Sequence, residues 1–139
     1  MTSESQPSNK NFSILIADRN PHVRRLLERE LKADGYQVRV ADNGREVLEW
    51  AYRLQPLDLI ILDLDLPDID EQTLFGNLQD RIPALPIIIH SFQLEGMKLP
   101  VKYRHAVFVE KGENSIEKLK KAASDILLSG IAIQPSAVK

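Results

Sequence analysis

Short apolar runs alternate with amphipathic stretches along most of the chain. Phe12 to Ala17 is the first run; it reads as a strand and ends on Asp18. Asn20-Pro21 is a helix start, because Asn caps and Pro suits the first helical position. Val23, Leu26, Leu27 and Leu31 then share one face, Arg24, Arg25, Glu28, Arg29 and Lys32 cover the other, and Gly35 is placed to end the helix. Tyr36 to Ala41 alternates as a second strand with one wet side, and Asp42-Asn43-Gly44 reads as a turn. A helix over Arg45 to Leu54 turns Val47, Leu48, Ala51 and Leu54 inward.

The central run is Leu57 to Leu62, interrupted only by Asp58. Asp63 follows, then Leu64, Asp65 and Leu66, and Pro67 stops regular structure. A Leu/Ile run this short, closed by a Pro turn, predicts a strand buried on both faces. Glu71 to Arg81 is a weaker helix around Leu74 and Leu78, with Gly76 in its middle. Ile87 to Ile89 is a fourth buried strand leading to His90 and Ser91. Gly96 and Pro100 allow only a short, irregular helix over Phe92 to His105. Ala106 to Val109 is the fifth strand, ending near Lys111. Asn114 with Glu117 is a start signal of the capping-box kind for a last helix presenting Ile116, Leu119, Ala123, Ile126 and Leu127; Gly130 ends it. Five strands alternating with about five helices predict an α/β fold: a five-stranded parallel sheet, doubly wound, with right-handed crossovers. One domain over residues 12–130 is expected, after a polar, disordered tail at 1–11 and before a tail or linker at 131–139.

Composition adds limits rather than a function. The 139 residues suit one domain with a real core, and 43% hydrophobic with 27% charged residues is ordinary for a soluble protein. A net charge of −2 gives no wholesale attraction to nucleic acid or anionic membrane. The absence of cysteine excludes disulfides and thiolate metal sites and suits a cytoplasmic home. No run approaches the length of a membrane helix, and no nucleic-acid-binding motif follows Gly130. His22, His90 and His105 have no ligand spacing.

The informative positions are the strand ends. Asp18, Asp63, Ser91 and Lys111 close strands one, three, four and five, and in a parallel sheet these ends share one edge, where open α/β sheets bind ligands. Singly, each has an ordinary explanation as a cap, a turn former or a solvated charge. Asp63 has less of one, since a buried strand leads into it and an unpaired buried carboxylate is costly. Together they suit phosphoryl transfer: Asp63 as nucleophile, Lys111 and a Mg²⁺ on oxygen ligands as cations, and Ser91 as a donor to the arriving group.

The segments ILIADRNPHVRRLL, DLIILDLDLPDID, PIIIHSF and AVFVEKG, in this order, resemble the receiver domain of bacterial two-component response regulators over roughly Phe12 to Leu128. The resemblance implies a flavodoxin-like three-layer sandwich that takes a phosphoryl group from a sensor histidine kinase or phosphotransfer protein, with Mg²⁺, and switches a partner-binding face. It implies Asp63 as phosphoacceptor, with Asp18, Asp63 and the Asp65 carbonyl at the metal. Ser91 and Phe108 are then the switch pair, and Lys111 the site's ammonium. It makes the Arg24, Arg25, Arg29 cluster a candidate kinase-docking surface, with the wet face of an amphipathic helix as the simpler reading. The strand-five face is an expected dimer or partner surface. For Phe108, core packing is a compatible alternative; for Asp65, a solvated turn acid.

Four departures stand against this pattern. Arg19 occupies the place of a second metal-binding acid. At ~4 Å and an effective dielectric near 20, one unit charge is worth about 4 kcal/mol, so an inward Arg19 would weaken Mg²⁺ binding severely. Arg19 can instead swing to solvent, or pair with Asp63 and stand in for the cation. Gly112 replaces the Pro usual after the Lys, and Phe92 stands where a small residue usually follows the switch hydroxyl. The segment between Ser91 and Lys111 is Pro-broken, so the usual helix there is expected to be degraded. These departures keep a second reading open, a receiver-like interaction module that takes no phosphate. A third, a haloacid-dehalogenase-type phosphohydrolase, shares the Asp63-Leu64-Asp65 pattern but needs it on the first strand and needs a later acidic pair.

Overall fold

The computed structural model describes residues 12–53, 55–81, 84–92 and 106–129. Strands β1 (Ser13–Ala17), β2 (Gln37–Ala41), β3 (Leu59–Leu62), β4 (Ile87–Ser91) and β5 (Val107–Glu110) form one parallel sheet in the order β2-β1-β3-β4-β5. The described helices are α1 (Pro21–Ala33), α2 (Gly44–Ala51), α3 (Glu71–Gln79) and α4 (Ser115–Ser129). The expected irregular helix before β5 falls mainly on residues 93–105, outside the described residues, as do Leu54 and the two terminal tails.

The unbroken apolar runs become the inner strands because both faces of the sheet are covered. All residues of β1, β3 and β4 are buried. Leu15, Ile60, Leu62, Ile87 and Ile89 pack on one side against Val47 and Ala51 of α2 and Leu74 and Leu78 of α3. Ile14, Ile16, Leu59, Ile61 and Ile88 pack on the other against Leu27 and Leu31 of α1 and Leu119, Ala123 and Ile126 of α4. Each Val, Leu or Ile among them contributes about 1.5–3 kcal/mol when fully buried. β2, at an edge, keeps Gln37 exposed and Val38 and Ala41 buried, which is the predicted one-sided strand.

Local signals explain the helix ends. Asn20 Oδ1 accepts from the backbone N–H groups of His22 and Val23, and Pro21 opens α1. Gly35, at φ 99°, reverses the chain after it. At α2 the sequence reading needs correction: Gly44 opens the helix instead of closing a turn, and Asn43 caps it by accepting from Glu46 N at 2.9 Å. Gly44 is required by close approach, since a Cβ there would lie 2.0 Å from Ile69 Cγ2. Asp68 also reaches back to this helix end, accepting from Gly44 N at 2.6 Å and Arg45 N at 3.0 Å. α4 starts directly after Asn114, as its start signal predicts, and Asn114 O accepts from Lys118 N at 3.1 Å; the residue is left-handed, at φ 66°, which Asn tolerates better than most residues.

Candidate functional site

The parallel ladder brings the strand ends together residue by residue. Asp18 N donates to Ala41 O, Asp63 N to Ala17 O at 2.8 Å, and Lys111 N to Ser91 O at 2.9 Å. With Leu62 registered on Ile89, Asp63 is seated between the ends of β1 and β4. The four predicted residues therefore meet at the carboxyl edge of the sheet. Three of them, Asp63, Ser91 and Lys111, line a cavity of about 620 Å³ together with Arg19, Asn20, His22, Asp65 and Phe92, among others.

The floor of this cavity is a buried charge cluster. Ser91 Oγ donates to Asp63 Oδ1 at 2.9 Å, and Lys111 Nζ donates to Asp63 Oδ2 at 3.0 Å. The same ammonium lies 2.9 Å from Asp18 Oδ2, and its side chain is only 7% exposed. Backbone donors add to these: Asp65 N bonds Asp63 Oδ1, which Ser91 also reaches, at 3.1 Å, and Asn20 N bonds Asp18 Oδ1 at 2.9 Å. Arg24 Nη1 donates to the Asp18 carbonyl at 2.8 Å.

These contacts set the two carboxylates apart. Burial disfavours the charged form of Asp63, but the hydrogen bonds from Asp65 N, Lys111 and Ser91 outweigh it and hold the carboxyl below its usual range. For Asp18 burial wins, aided by the neighbouring charge of Asp63, and its pKa is raised despite bonds from Asn20 and Lys111. Lys111 is held above its usual range because its two acid partners outweigh the cost of burial.

The rim behaves differently. Arg19 neither enters the floor nor stands free: Nη1 lies 3.5 Å from Asp65 Oδ2, with the two side chains 52% and 80% exposed. Phe92, 69% exposed, forms part of the wall, with Lys111 Nζ 5.2 Å from its ring centre. Its bulk flanks the ammonium, a cation–π arrangement. Phe108, on β5, is 47% exposed, so simple core packing does not describe it. Gly112 has φ 154°, a backbone angle closed to proline, whose ring fixes φ near −65°.

Several participants escaped sequence reasoning. The amides of Asn20 and Asp65 carry no side-chain signature. The sequence places Arg24 on a wet helix face, yet it reaches the Asp18 carbonyl; its place one turn into the helix that follows Asp18 is the available signal. His90 is buried, with Nε2 3.2 Å from Ser115 Oγ at the start of α4, while its Nδ1 has no hydrogen-bond partner among the described residues. Period-two alternation from Ser91 could have turned it to the opposite face of β4. Burial and the charge of Lys111 push its pKa down to about 4. His22 lines the cavity, and His105 lies outside the described residues.

A doubly wound sheet with this polar edge defines a receiver-type crevice, and the comparisons agree. The response regulator receiver domain family matches residues 14–107, and the chain belongs to that family. The chain is 35% identical over 82 residues to the transcriptional regulatory protein GlrR of Escherichia coli, covering 59% of this chain and 18% of that protein. It is 38% identical over 78 residues to the E. coli sensor protein EvgS, covering 56% of this chain and 6% of that one. The chain thus spans less than a fifth of the length of these curated relatives. Among solved structures, the response regulator TrrA of Thermotoga maritima, in complex with Mg²⁺-BeF, superposes with a TM-score of 0.72 at 28% identity, covering 84% of this chain and 99% of that one. TrrA has also been solved in complex with the histidine kinase ThkA.

This chain is accordingly a receiver domain of the kind that works in two-component phosphorelay signalling. Receiver domains are switches that interact with histidine kinases or phosphotransfer proteins and in general bind Mg²⁺ at the phosphorylation site, while some relatives are enzymes. One is a protein-glutamate methylesterase of Archaeoglobus fulgidus, 28% identical over 118 residues that make up 34% of its length. No described helix is long and apolar enough to cross a membrane.

Proposed function

We propose that Asp63 accepts a phosphoryl group from a sensor histidine kinase or phosphotransfer protein, and that the resulting change at the crevice switches a partner-binding face around β5 and α4. One observation carries this reading: the Asp63 carboxylate is held ionised at the cavity between the Ser91 hydroxyl and the Lys111 ammonium. A carboxylate oxygen of Asp63 attacks phosphorus of the phosphohistidine and forms a P–O bond. The P–N bond breaks, and the imidazole nitrogen leaves with the electron pair. Lys111 balances charge on the phosphoryl oxygens. Ser91 exchanges its bond to Asp63 for one to the new group, and Phe108 turns in behind it.

The residues that would hold Mg²⁺ are Asp18, Asp63 and the Asp65 carbonyl. The donor set as arranged does not fit a divalent cation. One ammonium already bridges an oxygen of Asp18 and one of Asp63, and the other oxygen of each accepts a hydrogen bond. Among the described residues no three His, Asp or Glu side chains are grouped to hold a metal.

The test is intact-protein mass after incubation with acetyl phosphate, with and without Mg²⁺. Gain of one phosphoryl group by the natural chain, lost in Asp63→Asn, supports acceptor chemistry. Inertness under every condition leaves the phosphorylation-independent interaction module.

A further inference from the structure

We propose that this crevice takes its phosphoryl group without a divalent cation, the Arg19 guanidinium joining the Lys111 ammonium as the positive charge that balances it. The inference rests on Asp63 being the acceptor, and it concerns what neutralises the group once it arrives.

Charge at the cavity and beneath it is already paired within the chain. Asp18, Asp63 and Asp65 are the acids, and each has a side-chain cation of the chain itself beside it. Lys111 serves the first two, and Arg19 the third. A third cation, Arg24, is bonded to the Asp18 carbonyl. Three carboxylates thus have two side-chain cations against them, so an entering divalent ion meets at most about one net negative charge to attract it. It would also have to displace the Lys111 ammonium from the oxygens the ion needs. Loss of those two contacts would leave a buried ammonium uncompensated.

An incoming phosphoryl group meets the opposite situation. It adds roughly one to two negative charges. Lys111 and Arg19 both line the cavity into which Asp63 faces. Among the described residues Arg19 is held only by an exposed pair at 3.5 Å, and exposed pairs of this kind contribute little. Rotation of its side chain from Asp65 onto the phosphoryl oxygens exchanges a weak, solvated contact for a charge-assisted, bidentate one, which the planar guanidinium is shaped to make. The cavity, at about 620 Å³, has room for the group together with that side chain. The covalent step is unchanged. With phosphoramidate as donor, an Asp63 oxygen bonds to phosphorus, the P–N bond breaks, and ammonia leaves after taking a proton from water.

The test uses the full chain and three variants, Arg19→Gln, Arg19→Asp and Asp63→Asn. Each is treated with phosphoramidate either in excess chelator or in excess Mg²⁺, and intact mass is followed with time. Mg²⁺ binding is measured separately by calorimetry, without phosphoryl donor. The natural chain is expected to label equally fast in both media and to give no calorimetric Mg²⁺ signal. Arg19→Gln should label on the order of tenfold more slowly in chelator, having lost a unit charge beside the group. Arg19→Asp should bind Mg²⁺ and label only in its presence, and Asp63→Asn should not label. A natural chain that labels only with Mg²⁺, or labels as fast when Arg19 is Gln, overturns the proposal. If the natural chain stays inert while Arg19→Asp labels with Mg²⁺, the role given to Arg19 fails and Asp63 as acceptor survives. If neither chain labels in either medium, the acceptor reading itself falls.

Discussion

The floor and the rim of the crevice use the same chemistry, a carboxylate facing a basic side chain, and burial makes them different objects. On the floor, Lys111 is 7% exposed and bonds two buried acids at 2.9 and 3.0 Å. On the rim, Arg19 and Asp65 approach to 3.5 Å with 52% and 80% of their side chains exposed. A buried cluster cannot lose a member without leaving an uncompensated charge, whereas an exposed pair can open at little cost. Fixed charge therefore belongs to the floor, and adjustable charge to the rim.

The largest effect should come from breaking the floor. Lys111→Met leaves Asp18 and Asp63 facing each other without a cation and should destabilise the fold by about 3–5 kcal/mol, measured by urea unfolding. A loss under about 1 kcal/mol would mean that the floor is solvated like the rim.

Next comes acid. His90, buried beside the cluster with its pKa near 4, binds fewer protons folded than unfolded. Its contribution to stability is whole above pH ~6.5 and is lost as pH falls from there toward 4, on the order of 2 kcal/mol. Thermal unfolding across that window should show the decline in the natural chain and a flatter profile in His90→Leu. Asp63 and Asp18 act at lower pH with opposite signs. The lowered pKa of Asp63 gives stability that is present above its ordinary value of 3.8 and lost as pH falls through the folded value. The raised pKa of Asp18 means that stability falls as pH rises from 3.8 through its folded value. Carboxyl titrations followed by NMR should place Asp63 below Asp18.

Ser91→Ala removes one buried hydrogen bond to Asp63 and should cost about 1 kcal/mol, read from the urea midpoint. At the small end, Arg19→Ala and Asp65→Ala should each shift stability by no more than about 0.5 kcal/mol. Their coupling in a double-mutant cycle should fade as salt is raised, while the Lys111 effect persists. A salt-resistant rim coupling would erase the contrast between the two regions.

Much of this is legible in the amino-acid sequence alone. Unbroken apolar runs could only be strands covered on both faces, and β1, β3 and β4 are fully buried. Because parallel strands end on one edge, Asp18, Asp63, Ser91 and Lys111 had to be neighbours. Boundaries were less secure: Gly44 reads as a turn residue until Ile69 is found packed against it, while the helix start at Asn114 is legible but its left-handed backbone is not. Arg19 was the least determined residue, since inward, outward and Asp63-paired orientations were all open from the sequence; it turns outward and meets Asp65.

The chain itself determined the order of elements, the doubly wound sheet and the cast of polar groups at its edge, because hydrophobic period and strand-end position are local properties. Which carboxyl has its pKa raised and which lowered, which cation serves two acids, and whether Arg19 belongs to the floor or the rim were settled only in three dimensions. Those outcomes depend on distances of about three ångströms between residues up to 93 positions apart, and on how much water each pair retains.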